Sequence, residues 1–337
     1  MSDAVSAALR TAGKRVDWLP LAVMAVVALA ALALIGSPST WVTLTLAGLA
    51  MGLLIFIMAS GLTLVFGLMD VMNFAHGLFI AVGAYVAAST VRFFAAAAGA
   101  DSFLTNLAAV LPAMLAALVI AGLLGLAFER VIVKPVYGQH LKQILITTGG
   151  MIVAEQLIVV LWGPDLISLQ RPSTLRGPLL FGDVAVEKYR LATVAVGLAV
   201  FVAMLLILHR TKLGLLIRAG VENKEMVEAM GYRIRRLFVA VFAVGSALAG
   251  LGGALWGLYQ ESVNVHIGAN MMVLIFIVII IGGLGSIGGC FVGAVLVGLV
   301  ANYVGFLAPK IALGSNILLM VLVLLWRPQG LYPVSKQ

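Results

Sequence analysis

Long apolar runs are the feature that most limits what this chain can fold into. A membrane-spanning helix needs about 20 apolar residues, because the hydrocarbon core is about 30 Å thick and each helical residue rises about 1.5 Å. Such runs recur along the whole sequence and predict an all-α polytopic membrane protein of about ten transmembrane helices. The runs lie near 19–36, 42–66, 76–98, 104–128, 143–162, 191–209, 237–258, 270–284, 289–307 and 314–326.

The composition excludes a soluble fold. Of the 337 residues, 63% are hydrophobic and 10% are charged, whereas a soluble domain is about 45–50% apolar and about 25% charged. The run 19–36 follows a basic segment, as in a secretory signal. It is long for such a signal and no clear cleavage site follows it, so we expect a retained helix.

Lysine and arginine residues, which are retained on the cytoplasmic side of a membrane, favour one orientation. With ten crossings and the N-terminus inside, 15 of the 21 basic residues lie in cytoplasmic segments, and both termini are cytoplasmic. The net charge of +8 is therefore explained by topology, and no nucleic-acid partner is expected. The six basic residues on the opposite side are Arg92, Arg171, Arg176, Lys188, Arg190 and Lys310.

Motifs for catalysis and for cofactor binding are missing from the sequence. It has no P-loop, no H-E-x-x-H, no Cys/His cluster and no G-x-S-x-G nucleophile elbow. The lone Cys290 excludes an intrachain disulfide. The sequence therefore predicts no enzyme, no cofactor and no metal site, and any ATP hydrolysis must come from another subunit.

Two segments share a pattern of apolar, then polar or Gly-rich, then apolar residues: 61–88 and 275–302. In transporters, such a recurrence points to discontinuous helices that present free backbone groups to a solute near the middle of the membrane. Two helical hairpins with tight glycine turns explain the pattern equally well. The sequence leaves both alternatives open.

The most charged segment, 210–236, is predicted to contain a short cytoplasmic helix. Glu222 and Glu225 would lie in its first turn and Gly231 at a left-handed C-cap. Met226, Val227 and Met230 would form a short apolar stripe. A helix of about ten residues is marginal alone, which suggests a partner. The alternative is a solvated basic loop that only fixes topology.

Several stretches resemble one family of membrane proteins. Residues 222–238, with E-N-K-E-M-V-E-A-M-G, resemble the coupling-helix loop of ABC importer permeases. Residues 61–88, with L-M-D-V-M-N-F-A-H-G, resemble the N-terminal signature of LivH-type branched-chain amino acid permeases. F-E-R-V-I-V-K-P at 128–135 and G-G-L-G-S-I-G-G at 282–289 are similar to two further stretches of that family.

This resemblance covers roughly residues 41–337 and implies a permease domain there, preceded by an extension, 1–40, with an extra transmembrane helix. It implies a bacterial inner-membrane ABC importer that carries branched-chain amino acids or a related small polar solute. The implied partners are two cytoplasmic ATPase subunits, a second, LivM-like permease and an extracytoplasmic solute-binding protein. One departure is Leu274–Phe276, where the family pattern has a lysine before an Ala-Phe pair.

The resemblance also implies a coupling surface on the cytoplasmic helix, through which the ATPase subunits would drive transport. Its residues would be Glu222, Asn223, Glu225, Met226, Glu228, Ala229 and Gly231.

Polar residues within apolar runs are the candidates for a translocation path, because polar groups at membrane depth are costly unless they face protein or water. Asn73, Phe74 and His76 form the first group. Alternatively, Asn73 caps the following helix and His76 is tied to a backbone carbonyl.

The remaining path candidates are Glu155 and Gln156, which interrupt the span 143–162, and the glycines Gly282, Gly283 and Gly285. Glu155 would face either the cavity or a partner subunit; a protonated or hydrogen-bonded helix contact is the alternative. Asn264 and His266 would meet a binding protein or solvent just outside a span. A competing function is an ATPase-independent secondary transporter or channel, which fits discontinuous segments too.

Overall fold

Helices account for most of the computed structural model, which describes residues 18–332. Its α-helices are α1 Leu19–Ile35, α2 Pro38–Met69, α3 His76–Phe93, α4 Ala95–Gly99, α5 Phe103–Phe128, α6 His140–Trp162, α7 Lys188–Arg210, α8 Lys212–Glu222, α9 Lys224–Ala229, α10 Ile234–Gln260, α11 Ile267–Gly282, α12 Ile287–Leu307 and α13 Ala312–Trp326. The strands are β1 Ile167–Ser168, β2 Pro178–Phe181, β3 Val184–Glu187 and β4 Ser262–Val263. Strands β2 and β3 form an antiparallel hairpin, and β1 pairs antiparallel with β4.

Ten of these helices correspond to the ten apolar runs. In the described part of the chain, 7 helices are long and apolar enough to cross a membrane: α2, α3, α5 with its extension to Val136, α6, α7, α10 and α12. The shorter apolar helices are α1, α11 and α13. The prediction of an all-α polytopic membrane protein with about ten apolar helices is confirmed.

Side-chain caps fix where several helices begin. Ser37 precedes Pro38 and accepts a hydrogen bond from the Thr40 N–H at 3.5 Å, a pattern that favours a helix start. Ser286 starts α12 in the same way by accepting from the Gly289 N–H at 3.1 Å.

The two ends of the bundle differ in the elements that they carry. The α9 end holds α8, α9 and the segment 129–143, and Gly220 on α8 lies against Leu68 near the end of α2. The hairpin end holds β2 and β3, where the Arg171 guanidinium lies 3.0 Å from Glu187 and 3.2 Å from Glu261. The Arg171–Glu261 pair joins the long loop 163–187 to the end of α10.

Helices α2 and α10 form the centre of the bundle and run antiparallel. A Cβ at Gly245 would lie 2.7 Å from the Gly61 carbonyl oxygen, and one at Gly252 would lie 3.2 Å from the Met58 nitrogen. Such backbone contact is how helices pack where lipid gives no hydrophobic driving force.

The core therefore has an internal inverted repeat. Helices α2, α3, α5 and α6 correspond in order to α10, α11, α12 and α13, and α12 packs along α2 as α5 packs along α10. Because α2 and α10 run in opposite directions, the two halves have opposite orientations in the membrane.

Candidate functional site

Each half of the repeat is interrupted by a six-residue segment between its first two helices: the first break, 70–75, and the second break, 261–266. Asp70 and Glu261 start them with the same left-handed φ of 54°, and they are the non-glycine residues with positive φ in the range 18–332. In the first break the His76 N–H donates to the Asn73 carbonyl at 3.3 Å; in the second, the Ile267 N–H donates to the Asn264 carbonyl at 3.2 Å. The two breaks share these backbone features, and the second also contains strand β4.

Polar contacts hold the first break inside the protein. The Asn73 side-chain oxygen accepts from the Ala75 N–H at 3.1 Å, and the Phe74 N–H donates to the Thr147 hydroxyl at 3.2 Å. The His76 Nε2–H donates to the Met58 carbonyl at 3.0 Å. Met58 lies eleven residues before the end of α2, about 16 Å along its axis. The first break therefore returns into the bundle before α3 begins.

The exposure of the three first-group candidates differs. Asn73 and His76 are each 1% exposed, so in this conformation neither side chain reaches a surface. The contacts observed are those of the alternative, with Asn73 capping and His76 tied to a carbonyl. Phe74 is half-buried, and its ring centroid lies 5.0 Å from that of Phe276 on α11.

The first helices after the two breaks meet at the middle of the membrane-spanning region. A Cβ at Gly77 would lie 2.7 Å from the Gly268 carbonyl oxygen and 2.9 Å from the Met151 methyl group, and Gly268 makes the reciprocal contact with Gly77. Met151 is eleven residues from either end of α6, His140–Trp162. The starts of α3 and α11 therefore lie at the midpoint of a spanning helix, on the axis that relates the two halves.

Five polar side chains lie close in sequence to the residues of this contact, on α6 and around the start of α11, and we call them the polar face: Thr148, Glu155, Gln156, His266 and Asn270. Thr148 and Gln156 on α6 and Asn270 on α11 are exposed. The Glu155 carboxylate is 16% exposed and lies 3.9 Å from His266 Nδ1, whose side chain is 74% exposed. Hydrocarbon would penalise these groups, so the polar face needs water or another polypeptide against it.

The glycines of segment 275–302 lie away from the midpoint contact. Gly283–Ser286 form a tight turn at the α9 end, with the Ser286 N–H donating to the Gly283 carbonyl at 3.1 Å. A Cβ at Gly67 on α2 would lie 2.9 Å from the Gly285 Cα, and one at Gly282 would lie 2.7 Å from the Cys290 nitrogen. Segment 61–88 thus contains a discontinuity, whereas 275–302 is a hairpin with a glycine turn. The counterpart of 70–77 is 261–268.

The sequence contains a short signal that 70–77 corresponds to 261–268. Asp70, Asn73 and Gly77 have the same spacing as Glu261, Asn264 and Gly268. His266 and Asn264 were expected just outside a span, yet they belong to the break that leads to the midpoint contact. The expectation rests on the apolar runs, which place 261–266 between two spans but do not give its depth in the bundle.

At the other end, α9 is shorter than predicted. Glu222 ends α8, and α9 begins after Asn223, whose side-chain oxygen accepts from the Met226 N–H at 2.9 Å. The prediction that Glu222 lies in the first turn of the helix is therefore wrong, because Asn223 is the better N-cap and starts a new helix. The Glu222 side chain lies outside the described part of the structure.

The C-terminal end of α9 follows the predicted cap. Gly231 has a φ of 84°, and the Tyr232 N–H donates to the Val227 carbonyl at 3.3 Å, which is the bond of a Schellman motif. Val227 is buried, whereas Met226 and Met230 are 57% and 67% exposed. The other exposed residues of this segment are Asn223, Glu225, Glu228, Ala229 and Gly231.

Comparison with known proteins gives the family. The profile described as "Branched-chain amino acid transport system / permease component" matches residues 44–326. The chain belongs to this family. No solved structure shows a significant match to it.

Curated relatives match over most of their length. The high-affinity branched-chain amino acid permease protein BraD of Pseudomonas aeruginosa is 29% identical over 294 residues, covering 84% of this chain and 93% of BraD. LivH of Salmonella typhimurium is 28% identical over 84% of this chain and 92% of LivH. A probable LivM permease of Methanocaldococcus jannaschii is 23% identical over 83% and 90% of the two chains. These relatives support a transporter permease and not the ATPase-independent alternative.

Proposed function

We propose that this chain is the membrane-spanning permease subunit of an ABC importer for branched-chain amino acids or a related small polar solute. The observation that carries the proposal is the polar face on α6 and around the start of α11, because polar groups at membrane depth suit a wet solute path. Family membership adds the class of solute, since BraD and LivH are both described as branched-chain amino acid permeases.

The solute path runs along the polar face, between this chain and a second, LivM-like permease. Glu155, Gln156 and the half-buried Phe74 contact the path directly. Asn73 and His76 act indirectly by holding the first break. Gly282, Gly283 and Gly285 allow α11 and α12 to pack closely at the cytoplasmic end of the path, against Gly67, Gly289 and the segment 329–332.

Segment 223–231 is the coupling surface for two cytoplasmic ATPase subunits. Its exposed methionines Met226 and Met230 and its exposed carboxylates Glu225 and Glu228 offer apolar and charged contacts to a partner. Buried Val227 and the Gly231 cap fix the helix against α8 and α10. A displacement of α9 by the ATPase subunits therefore moves α7 and α10 with it as rigid helices.

The remaining assignments follow from this orientation. The α9 end is cytoplasmic, the protein resides in a bacterial inner membrane, and the hairpin end meets the solute-binding protein. Residues 41–337 are the permease domain, and 1–40 are an extension whose helix α1 is held by the Trp41 indole N–H, which donates to the Ala28 carbonyl at 2.8 Å.

The test is solute-dependent ATPase activity of the assembled complex in proteoliposomes. Leucine, isoleucine or valine with the binding protein should stimulate hydrolysis, and Glu228→Lys and Gly231→Val should each abolish uptake while membrane insertion stays intact. Gly231→Val acts because valine strongly disfavours a φ of 84°.

Gly305→Val is the matched control, since Gly305 has no atom within 4 Å of an added Cβ and lacks a positive φ. It should leave uptake unchanged. Normal uptake by both coupling variants would refute the assignment of α9 as the coupling helix. Transport by a complex without ATPase subunits would refute the assignment as an ABC importer.

A further inference from the structure

We propose that this chain holds an anionic phospholipid at the α9 end, with its headgroup in a groove between α5 and α10 and an acyl chain in an apolar crevice along α10. The groove has a volume of about 800 Å³. It lies where the segment after α5 faces the start of α10 and the end of α9. The proposal is independent of which solute the protein carries.

The groove is strongly basic. Its lining includes Arg130 and Lys134 from the segment after α5, and Arg233, Arg235 and Arg236 from the start of α10. Among the residues that the structure describes, none of these five cations lies within 4.0 Å of a carboxylate. Five positive groups, none of them in an ion pair with a described carboxylate, favour an anionic ligand.

The start of α10 gives a second reason for an anion. Arg233 occupies the N-cap position, and Arg235 and Arg236 lie in the first turn, which contains no acidic residue. Positive charge at a helix N-terminus opposes the macrodipole, whereas a phosphate there is favoured by the dipole.

The two acids in the groove do not cancel this charge. Glu129 is fully buried and accepts a hydrogen bond from the Tyr137 hydroxyl. Burial and this hydrogen bond raise the pKa of Tyr137, so the hydroxyl stays protonated and remains a donor to Glu129. Glu228 comes from α9 and is exposed. The groove retains an excess of three positive charges over its two acids.

An apolar crevice continues from the groove toward the membrane interior, and this continuity indicates a lipid rather than a free anion. The crevice has a volume of about 220 Å³, is lined by apolar side chains of α2, α7, α8 and α10, and shares Ala240 with the groove. On α10, Arg236, Ala240 and Val244 are exposed and spaced one turn apart. A headgroup at Arg236 would therefore place an acyl chain along Ala240 and Val244.

Native mass spectrometry of the full-length chain, released from nanodiscs with equal amounts of phosphatidylglycerol and phosphatidylcholine of matched chains, tests the site. One phosphatidylglycerol should be retained in preference to phosphatidylcholine. Combining Arg233→Gln with Arg236→Gln should weaken that preference roughly fivefold for each charge, about 25-fold in all. Ala240→Phe keeps every charge but fills the junction of groove and crevice, so it should also release the lipid.

The matched control removes two exposed cations outside the groove, Lys142→Gln with Lys310→Gln, and should leave the preference unchanged. Equal retention of the two lipids by the unmodified chain would overturn the proposal. Displacement of the phosphatidylglycerol by millimolar inorganic phosphate would assign the groove to a free anion instead. Loss of the lipid when cytoplasmic subunits assemble on the chain would assign it to that interface.

Discussion

The two breaks share backbone features but differ in exposure. Asn73 in the first break and His76 directly after it are buried and each makes a side-chain hydrogen bond within the protein, although the Asn73 side-chain nitrogen has no partner among the described residues. In the second, His266 is exposed and Asn264 is half-buried with a side-chain oxygen that has no hydrogen-bond partner among the described residues. The two halves of the repeat therefore share a similar backbone arrangement at the breaks, but their side chains differ. Those of the first break stabilise the fold, whereas those of the second border the proposed solute path.

This comparison separates two roles that polar residues at membrane depth can have. A buried polar group that is bonded fixes the fold, and its removal costs stability. An exposed one can be removed without loss of stability, but it changes what can lie against that surface. Stability and transport should therefore respond differently at equivalent positions of the two breaks.

The largest effect is expected where the breaks meet. Gly77→Val and Gly268→Val should each destabilise the isolated chain by at least about 3 kcal/mol, because the new side chain would collide with the facing backbone. Thermal unfolding of the detergent-solubilised chain measures this. Gly149→Val is the control, since an added Cβ there meets no atom within 4 Å. Equal melting temperatures for the three variants would refute the close contact.

The two histidines, which lie one position apart in the alignment of the breaks, should differ next in stability. His76→Ala should cost about 2–3 kcal/mol, since it removes a buried hydrogen bond and leaves a cavity. His266→Ala should change stability by less than about 0.5 kcal/mol, because its side chain is largely exposed, while lowering uptake. Thermal unfolding and uptake are measured on the same preparations. If His266→Ala proves as destabilising as His76→Ala, the two breaks do not differ in role.

The asparagines give a smaller contrast. Asn73→Ala should lose about 1 kcal/mol, the usual cost of a capping side chain. Asn264→Ala should lose less than about 0.5 kcal/mol, because its side-chain oxygen has no partner in the range 18–332. The melting temperatures of the two variants measure this difference. A larger loss of stability for Asn264→Ala than for Asn73→Ala would contradict the assigned roles of the two breaks.

The smallest effect concerns the residues that start the breaks. Asp70→Gly should stabilise the chain by about 0.5 kcal/mol, since glycine adopts a φ of 54° without steric cost. Glu261→Gly should show no net gain, because it also removes the carboxylate 3.2 Å from the Arg171 guanidinium. A matching gain at both positions would indicate that this ion pair contributes nothing.

Local patterns predicted the fold better than the site. Apolar length identified the ten helices, and the residue type at Gly231 identified its cap, because both depend on neighbours in sequence. The position of the first break depends on the bonds from Phe74 to Thr147 and from His76 to Met58, which are distant in sequence, so it could not be deduced. The second break was missed because Gly282–Gly285 gave a stronger glycine signal than the three shared positions of 261–268.

Thiol labelling of single-cysteine variants tests most directly whether the polar face borders a wet path. In a Cys290→Ala background within the assembled transporter, a membrane-impermeant hydrophilic reagent should modify Gln156→Cys and Asn270→Cys, and the solute should slow both reactions. Leu115→Cys, on an exposed apolar surface of α5, should not react. Reaction at Leu115→Cys as fast as at Gln156→Cys and Asn270→Cys, or at none of the three, would contradict the account.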